Sequence, residues 1–314
     1  YWSVVIGQGI VDPAEDTYPW TVAVDWSPGG ERVASGGYHH DVLIWETDQG
    51  QLVGKLRGHE SWIQEVIWFP DGDHIVSADW DGEVIVWDAD TLAIAARLDT
   101  GGDADVFGIG VHPDGEIVAA GSYEGRTHVL RWRTGERLAL LESNEGGTMF
   151  VTFTPDGRHL ATSGEDGTIR LFDTNHWEEV ASIVAHTAGI TSLSFTPDGA
   201  QVLSGGDDGM VRLWEVASGT ELDAGGGSRD WGNVTAFVPG SQRFLTAATD
   251  GRIRVWEVGD AEPLAVLPLH DQWAQCVRPS RDGRAFASTG KEGTVQIYDL
   301  QQGRLRTVID VATA

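Results

Sequence analysis

The stretch from Gly58 to Asp88, GHESWIQEVIWFPDGDHIVSADWDGEVIVWD, decides the architecture of this chain. Ile63–Phe69 alternates and ends at Pro70-Asp71-Gly72, His74–Ala78 is the next apolar run, and Asp81-Gly82 leads into Glu83–Trp87. Period-two alternation marks a half-buried strand, because successive side chains leave opposite faces of a sheet. Asp-Gly between two such runs marks a tight hairpin. Leu92–Leu98 completes a set of four short strands. One such sheet cannot bury both of its faces alone, so it needs neighbours of the same kind.

The chain supplies them by repetition. An aromatic-then-acidic pair falls at Trp45-Glu46, Trp87-Asp88, Phe172-Asp173, Trp214-Glu215, Trp256-Glu257 and Tyr298-Asp299, with Leu130-Arg131 in the third place. Successive first members are 42, 43, 42, 42, 42 and 42 residues apart. A Pro-Asp-Gly type of turn keeps nearly the same period, from Pro28-Gly29-Gly30 through Pro155-Asp156-Gly157 to Arg281-Asp282-Gly283. Seven four-stranded sheets packed face to face around an axis bury what one cannot. The fold class read from this is all-β, a seven-bladed β-propeller with an N-terminal arm over 1–16 and a single propeller over 17–314. The blades run at about 17–58, 59–101, 102–143, 144–185, 186–227, 228–269 and 270–314. The last repeat has its own outer strand after Gly303-Arg304-Leu305, so the C-terminal strand is expected to close blade seven.

Gly58-His59 followed by Trp87-Asp88 resembles the Gly-His and Trp-Asp signature of WD repeats. The resemblance covers about residues 17–311. It implies a buried hydrogen-bonded tetrad in each blade, carried here by His59, Ser77, Asp81 and Trp87 in the second repeat and by His186, Ser204, Asp208 and Trp214 in the fifth. The physical logic stands beside it: a buried indole N–H needs an acceptor, and a serine hydroxyl is one. The first repeat has Ser35, His39 and Trp45; the seventh has His270, Ser288, Glu292 and Tyr298. The fourth (Thr162, Asp166, Phe172) and sixth (Thr246, Asp250, Trp256) lack the His, and the third, with Ala120, Glu124 and Leu130, lacks the set.

Charge narrows the partners. With 48 Asp+Glu against 21 Lys+Arg the net charge is −27, which repels nucleic acid and anionic membrane surfaces. A protein or peptide partner of basic or aromatic character is favoured. The acids are spread along the whole chain, so solubility or a salty cytoplasm accounts for the charge equally well. The single cysteine, Cys276, allows no internal disulfide. There is no apolar run of membrane-spanning length and no signal-peptide pattern, which favours the cytoplasm. The chain begins at Tyr1 rather than Met, as a trimmed chain or one part of a larger polypeptide would.

No enzymatic chemistry, cofactor or metal is expected. The ten histidines are scattered among the repeats, and the glycines belong to hairpin turns rather than to a phosphate loop. Ile10-Val11 with Tyr18-Pro19-Trp20-Thr21-Val22 resembles the start of a trypsin-like protease, but no matching catalytic His or Gly-Asp-Ser-Gly segment follows. An enzyme using the channel mouth and a purely structural subunit are the alternatives to a docking module, since fold alone does not choose.

Comparing equivalent positions locates a surface. Eight residues before the turn stand Trp20, Trp62, Asp105, Gly147, Gly189, Trp231 and Trp273. Just before the turn acid stand Tyr38, Trp80, Tyr123, Glu165, Asp207, Thr249 and Lys291. The resemblance puts both columns on the top face, around the mouth of the central channel. The expected docking surface is therefore Trp20, Trp62, Trp231, Trp273, Tyr38, Trp80 and Tyr123, continued by the acids Glu165 and Asp207. Packing of these aromatics as lids under loops is the competing reading. Trp26, Trp68, Phe153, Phe195 and Phe237, two residues before the turn Pro, are expected in the core.

Overall fold

The computed structural model describes residues 20–102, 105–223 and 234–311. They form seven four-stranded antiparallel sheets, each with its strands in sequence order. Blade two consists of Ile63–Trp68, His74–Asp79, Val84–Asp88 and Ile94–Leu98. Blade seven consists of Ala274–Pro279, Ala285–Gly290, Thr294–Asp299 and Arg304–Asp310. The outer strand of blade seven is thus the C-terminal one, paired to Thr294–Asp299. The N-terminal arm over 1–16 lies outside the described residues. No helix among the described residues is long and apolar enough to cross a membrane.

Each blade begins with its innermost strand, and these strands contact one another in an unbroken circle that returns from Ala274–Pro279 to Thr21–Trp26. The core is a set of interblade layers. Between blades one and two, Ala23, Ile44 and Leu56 pack on Ile63, Val66 and Trp87. At the seam where the ring closes, Val24, Trp26 and Trp45 of blade one pack on Cys276, Ala287, Ile297 and Ile309 of blade seven. Trp26 also donates its indole N–H to the carbonyl of Arg278, at 2.9 Å. The expected core aromatics Trp26, Trp68, Phe153 and Phe237 are buried, and Phe195 is half-buried.

Local geometry follows the turn chemistry. In blade two, Gly72 adopts φ 80° and donates its N–H to Phe69, closing the Pro70-Asp71-Gly72 turn. The turn before the outermost strand also needs a left-handed residue, and Gly50, Gly135, Gly219 and Gly303 supply it. Leu92 and Trp177 occupy the same place at φ 60° and 58°. Such a conformation costs about 1–2 kcal/mol for a residue with a Cβ. Packing offsets it: Leu92 lies over Gly54 of the preceding blade, and Trp177 packs against the core layer between blades three and four.

Near the mouth, the innermost strands of blades one, two, three, four, five and seven carry a register shift against their neighbours, as between Ile63 and Glu65. A bulge of this kind re-aims side chains at a sheet end. Here it leaves Val22, Gln64, Met149, Thr191 and Gln275 half-buried along the channel wall.

Candidate functional site

The hydrogen-bonded networks hold the blades that carry the mouth. In blade five His186 Nδ1 reaches Asp208 at 2.9 Å, Nε2 meets the Ser204 hydroxyl at 2.7 Å, and Trp214 Nε1 donates to that hydroxyl at 3.0 Å. Burial lowers the pKa of His186, against the pull of Asp208. Burial would raise Asp208, but hydrogen bonds from His186 and Arg212 outweigh it and bring the carboxyl down to about 2.

Blade two corrects the expected set. His59 Nδ1 pairs with Asp79, not Asp81, at 2.9 Å. His59 Nε2 meets Ser77 Oγ at 2.6 Å, and Trp87 Nε1 donates to the same oxygen at 2.8 Å. Asp81 sits exposed on the turn. The reason is the residue that ends the second strand. That residue is Gly164, Gly206 and Gly290 in blades four, five and seven, where the turn acid reaches back. In blade five a Cβ on Gly206 would lie 2.4 Å from the His186 ring. In blade two it is Asp79, itself 1% exposed, which takes the imidazole and leaves Asp81 free of the network. The signal was in the sequence: an Asp in a column whose other members are Gly, Ser or Ala.

The other blades hold partial networks. Blade seven joins His270 to Glu292 and Ser288, and Tyr298 stacks on Phe286. In blade four Asn144 takes the histidine's column and donates to Asp166 at 3.0 Å. Trp45 donates to Ser35 and Trp256 to Thr246. Among the described residues, His59, Asp79 and Glu83 form a group with metal-ligand spacing. Their atoms are already engaged, Asp79 with His59 and Glu83 with Arg97.

At the mouth the aromatic columns meet. Trp20 lies edge-on to Tyr38 at 4.8 Å, Tyr38 stacks on Trp62 at 4.3 Å, and Trp62 meets Trp80 at 6.2 Å. Trp80 meets Phe107 at 5.4 Å, and Phe107 meets Tyr123 at 6.1 Å. Tyr38 therefore fills the gap between its own blade's tryptophan and the next blade's, and Trp80 bridges Trp62 to Phe107. Burial pushes the Tyr38 phenol up to about 12. Trp20 is 8% exposed, so it underlies this surface instead of forming it, while Tyr38, Trp62, Trp80 and Tyr123 keep half-buried faces.

Blade seven joins the arc through a cation. Lys291 Nζ lies 3.9 Å from the Trp20 ring centre and 3.7 Å from that of Trp273. Burial lowers its pKa to about 8. The described arc thus spans blades seven, one, two and three; Trp231 lies outside the described residues. Phe107, which extends the arc into blade three, was missed by the column comparison because it stands two residues after Asp105, on the channel wall.

The rest of the rim is acidic. Asp105 takes a left-handed φ of 61°, and burial, then Asp81 and Glu124, raise its pKa. Burial raises Asp207 to about 6, helped by Asp208 and Glu165. Beside Glu165 and Asp207, Gly147 and Gly189 stand in the column where blades one, two and seven carry tryptophan, and a Cβ on Gly189 would lie 3.4 Å from the Asp207 carboxylate.

Two family comparisons match this chain. The WD domain, G-beta repeat, matches residues 261–299. The family described as the IFT122 first beta-propeller matches residues 19–257. Propellers of these kinds are protein-interaction scaffolds and generally non-catalytic. With seven closed blades and a match over most of its length, the chain belongs to the IFT122 first beta-propeller family of WD-repeat proteins.

Proposed function

We propose that this chain is a non-catalytic docking module that holds a partner protein or peptide over the aromatic and acidic rim of its top face. The observation that carries the reading is the unbroken aromatic chain from Trp20 to Tyr123, whose outer members keep half-buried faces. Large rigid side chains with few rotamers lose little entropy on contact, which is why Trp and Tyr dominate interface hot spots. Because each ring here braces the next, the surface is organised before a partner arrives. The acidic rim at Glu165 and Asp207 suits a basic side chain on the same partner, through charge pairing.

The test is capture from native extract, with mass spectrometry of what co-purifies, by the wild type and by Trp62→Ala and Trp273→Ala. The expectation is loss of the captured partner in both variants, about thirtyfold in affinity for a hot spot of ~2 kcal/mol. Unchanged capture by folded variants refutes the top-face reading.

A further inference from the structure

Only two of the 21 basic residues in this chain are lysines, Lys55 and Lys291. Lys291 is 7% exposed, with its ammonium between the two indoles of Trp20 and Trp273. Two π faces attract the cation, but they are poor acceptors for its three N–H groups. Among the described residues no carboxylate or carbonyl oxygen lies within hydrogen-bond or ion-pair reach of that nitrogen. A partly desolvated ammonium with no protein acceptor is an incomplete arrangement, because a buried polar group costs free energy until it is paired.

We propose that Lys291, held in its Trp20–Trp273 slot, is a binding site for a carboxylate of the docked partner. This rests on the top-face reading and sharpens it. An oxyanion supplies the missing acceptors in charge-assisted form, where the ion pair is shielded from water by two indoles. The site stands at one end of the aromatic arc, so the acid is expected beside an apolar or aromatic residue that packs on Tyr38 and Trp62. The opposite rim, at Glu165 and Asp207, repels an acid and accepts a base. The mouth is therefore bipolar and sets the orientation of the segment it holds. The lowering of the Lys291 pKa by burial agrees with a site short of a counter-charge.

The scarcity of lysine gives a direct test. Protein labelled with carbon-13 and nitrogen-15 in lysine shows two side-chain signals, with Lys55 as the internal reference. The probes are N-acetyl-L-phenylalanine and its amide, which share a ring and differ in the carboxylate. The acid is expected to move the Lys291 signal alone and to bind about tenfold tighter than the amide, the effect of one charge-assisted hydrogen bond. Lys291→Met keeps the apolar stem between the indoles and is expected to abolish that advantage, while Lys291→Arg retains it in part. Equal affinities for acid and amide overturn the proposal. So does displacement of Lys291 by tetramethylammonium with no response to the acid, which makes the slot a cation cage. Failure here is separable from failure of the top-face reading. The latter shows as partner capture indifferent to Trp62→Ala, whatever the probes do.

Discussion

Arg278 offers the most exacting test of how the ring is closed. Its guanidinium reaches from blade seven to Glu65 of blade two at 3.3 Å, spanning blade one, and Asp25 of blade one stands close by. Asp25 in turn accepts the backbone N–H of Trp68 at 2.8 Å. Two carboxylates thus share one cation in the channel wall. Burial raises Glu65 to about 7 even with Arg278 opposing it, and burial raises Asp25 as well. A carboxyl whose pKa is higher folded than unfolded stabilises the fold at low pH and loses that contribution as pH rises through the folded value. For Glu65 the contribution is complete below its ordinary 4.5 and lost as pH passes about 7.

Arg278→Met removes the cation and raises the Glu65 pKa further. The proton-linked loss then continues above neutrality at about 1.4 kcal/mol per pH unit, the free-energy equivalent of one pKa unit. The expected destabilisation is ~1 kcal/mol at pH 6, where Glu65 is already largely protonated, and ~3 kcal/mol at pH 8.5, at the lower edge of values for broken buried pairs. Thermal and urea unfolding at both pH values measure it, with roughly 4–5 °C of melting shift expected at the higher pH. The Arg278→Met/Glu65→Gln double variant is expected to lose the extra pH dependence and regain most of the stability. A loss equal at both pH values, or below about 0.5 kcal/mol at pH 8.5, refutes the charge-sharing account.

Three further outcomes are expected. Asp79→Ala costs ~1–3 kcal/mol in urea unfolding because it strands His59, whereas Asp81→Ala stays within about 0.5 kcal/mol; the reverse order sinks the assignment of Asp79. Gly206→Ala places a methyl against the His186 ring and costs at least ~2 kcal/mol, while a neutral result in the same unfolding assay means that His186 can shift at no cost. The low pKa of Asp208 stabilises the fold above its ordinary 3.8, and that contribution disappears as pH falls toward about 2. Asp208→Asn should therefore shallow the acid limb of the stability profile, and an unchanged limb refutes the role of its bonds to His186 and Arg212.

The repeat of 42 residues was enough to read strand number, blade number and the closing strand, because each hairpin is local and its turn chemistry is written in adjacent residues. The columns that face the mouth were legible for the same reason: a fixed register puts equivalent positions at equivalent places. Trp20, Tyr38, Trp62, Trp80 and Tyr123 could be picked out before any contact among them was known. The choice of Asp79 over Asp81 needed more, since both lie near one hairpin and only the space beside the imidazole decides between them. The contribution of Phe107 depended on a side chain aimed along the channel wall, which a comparison of turn positions does not sample.

What tertiary structure alone decided is the meeting of blades distant in sequence. Arg278 and Glu65 are 213 residues apart and touch because the ring closes. Lys291 was one member of a column in the sequence; its place between Trp20 and Trp273 exists because the first and last blades become neighbours. Local periodicity specifies each blade, but the contacts across the seam depend on how seven blade rotations sum to a closed circle.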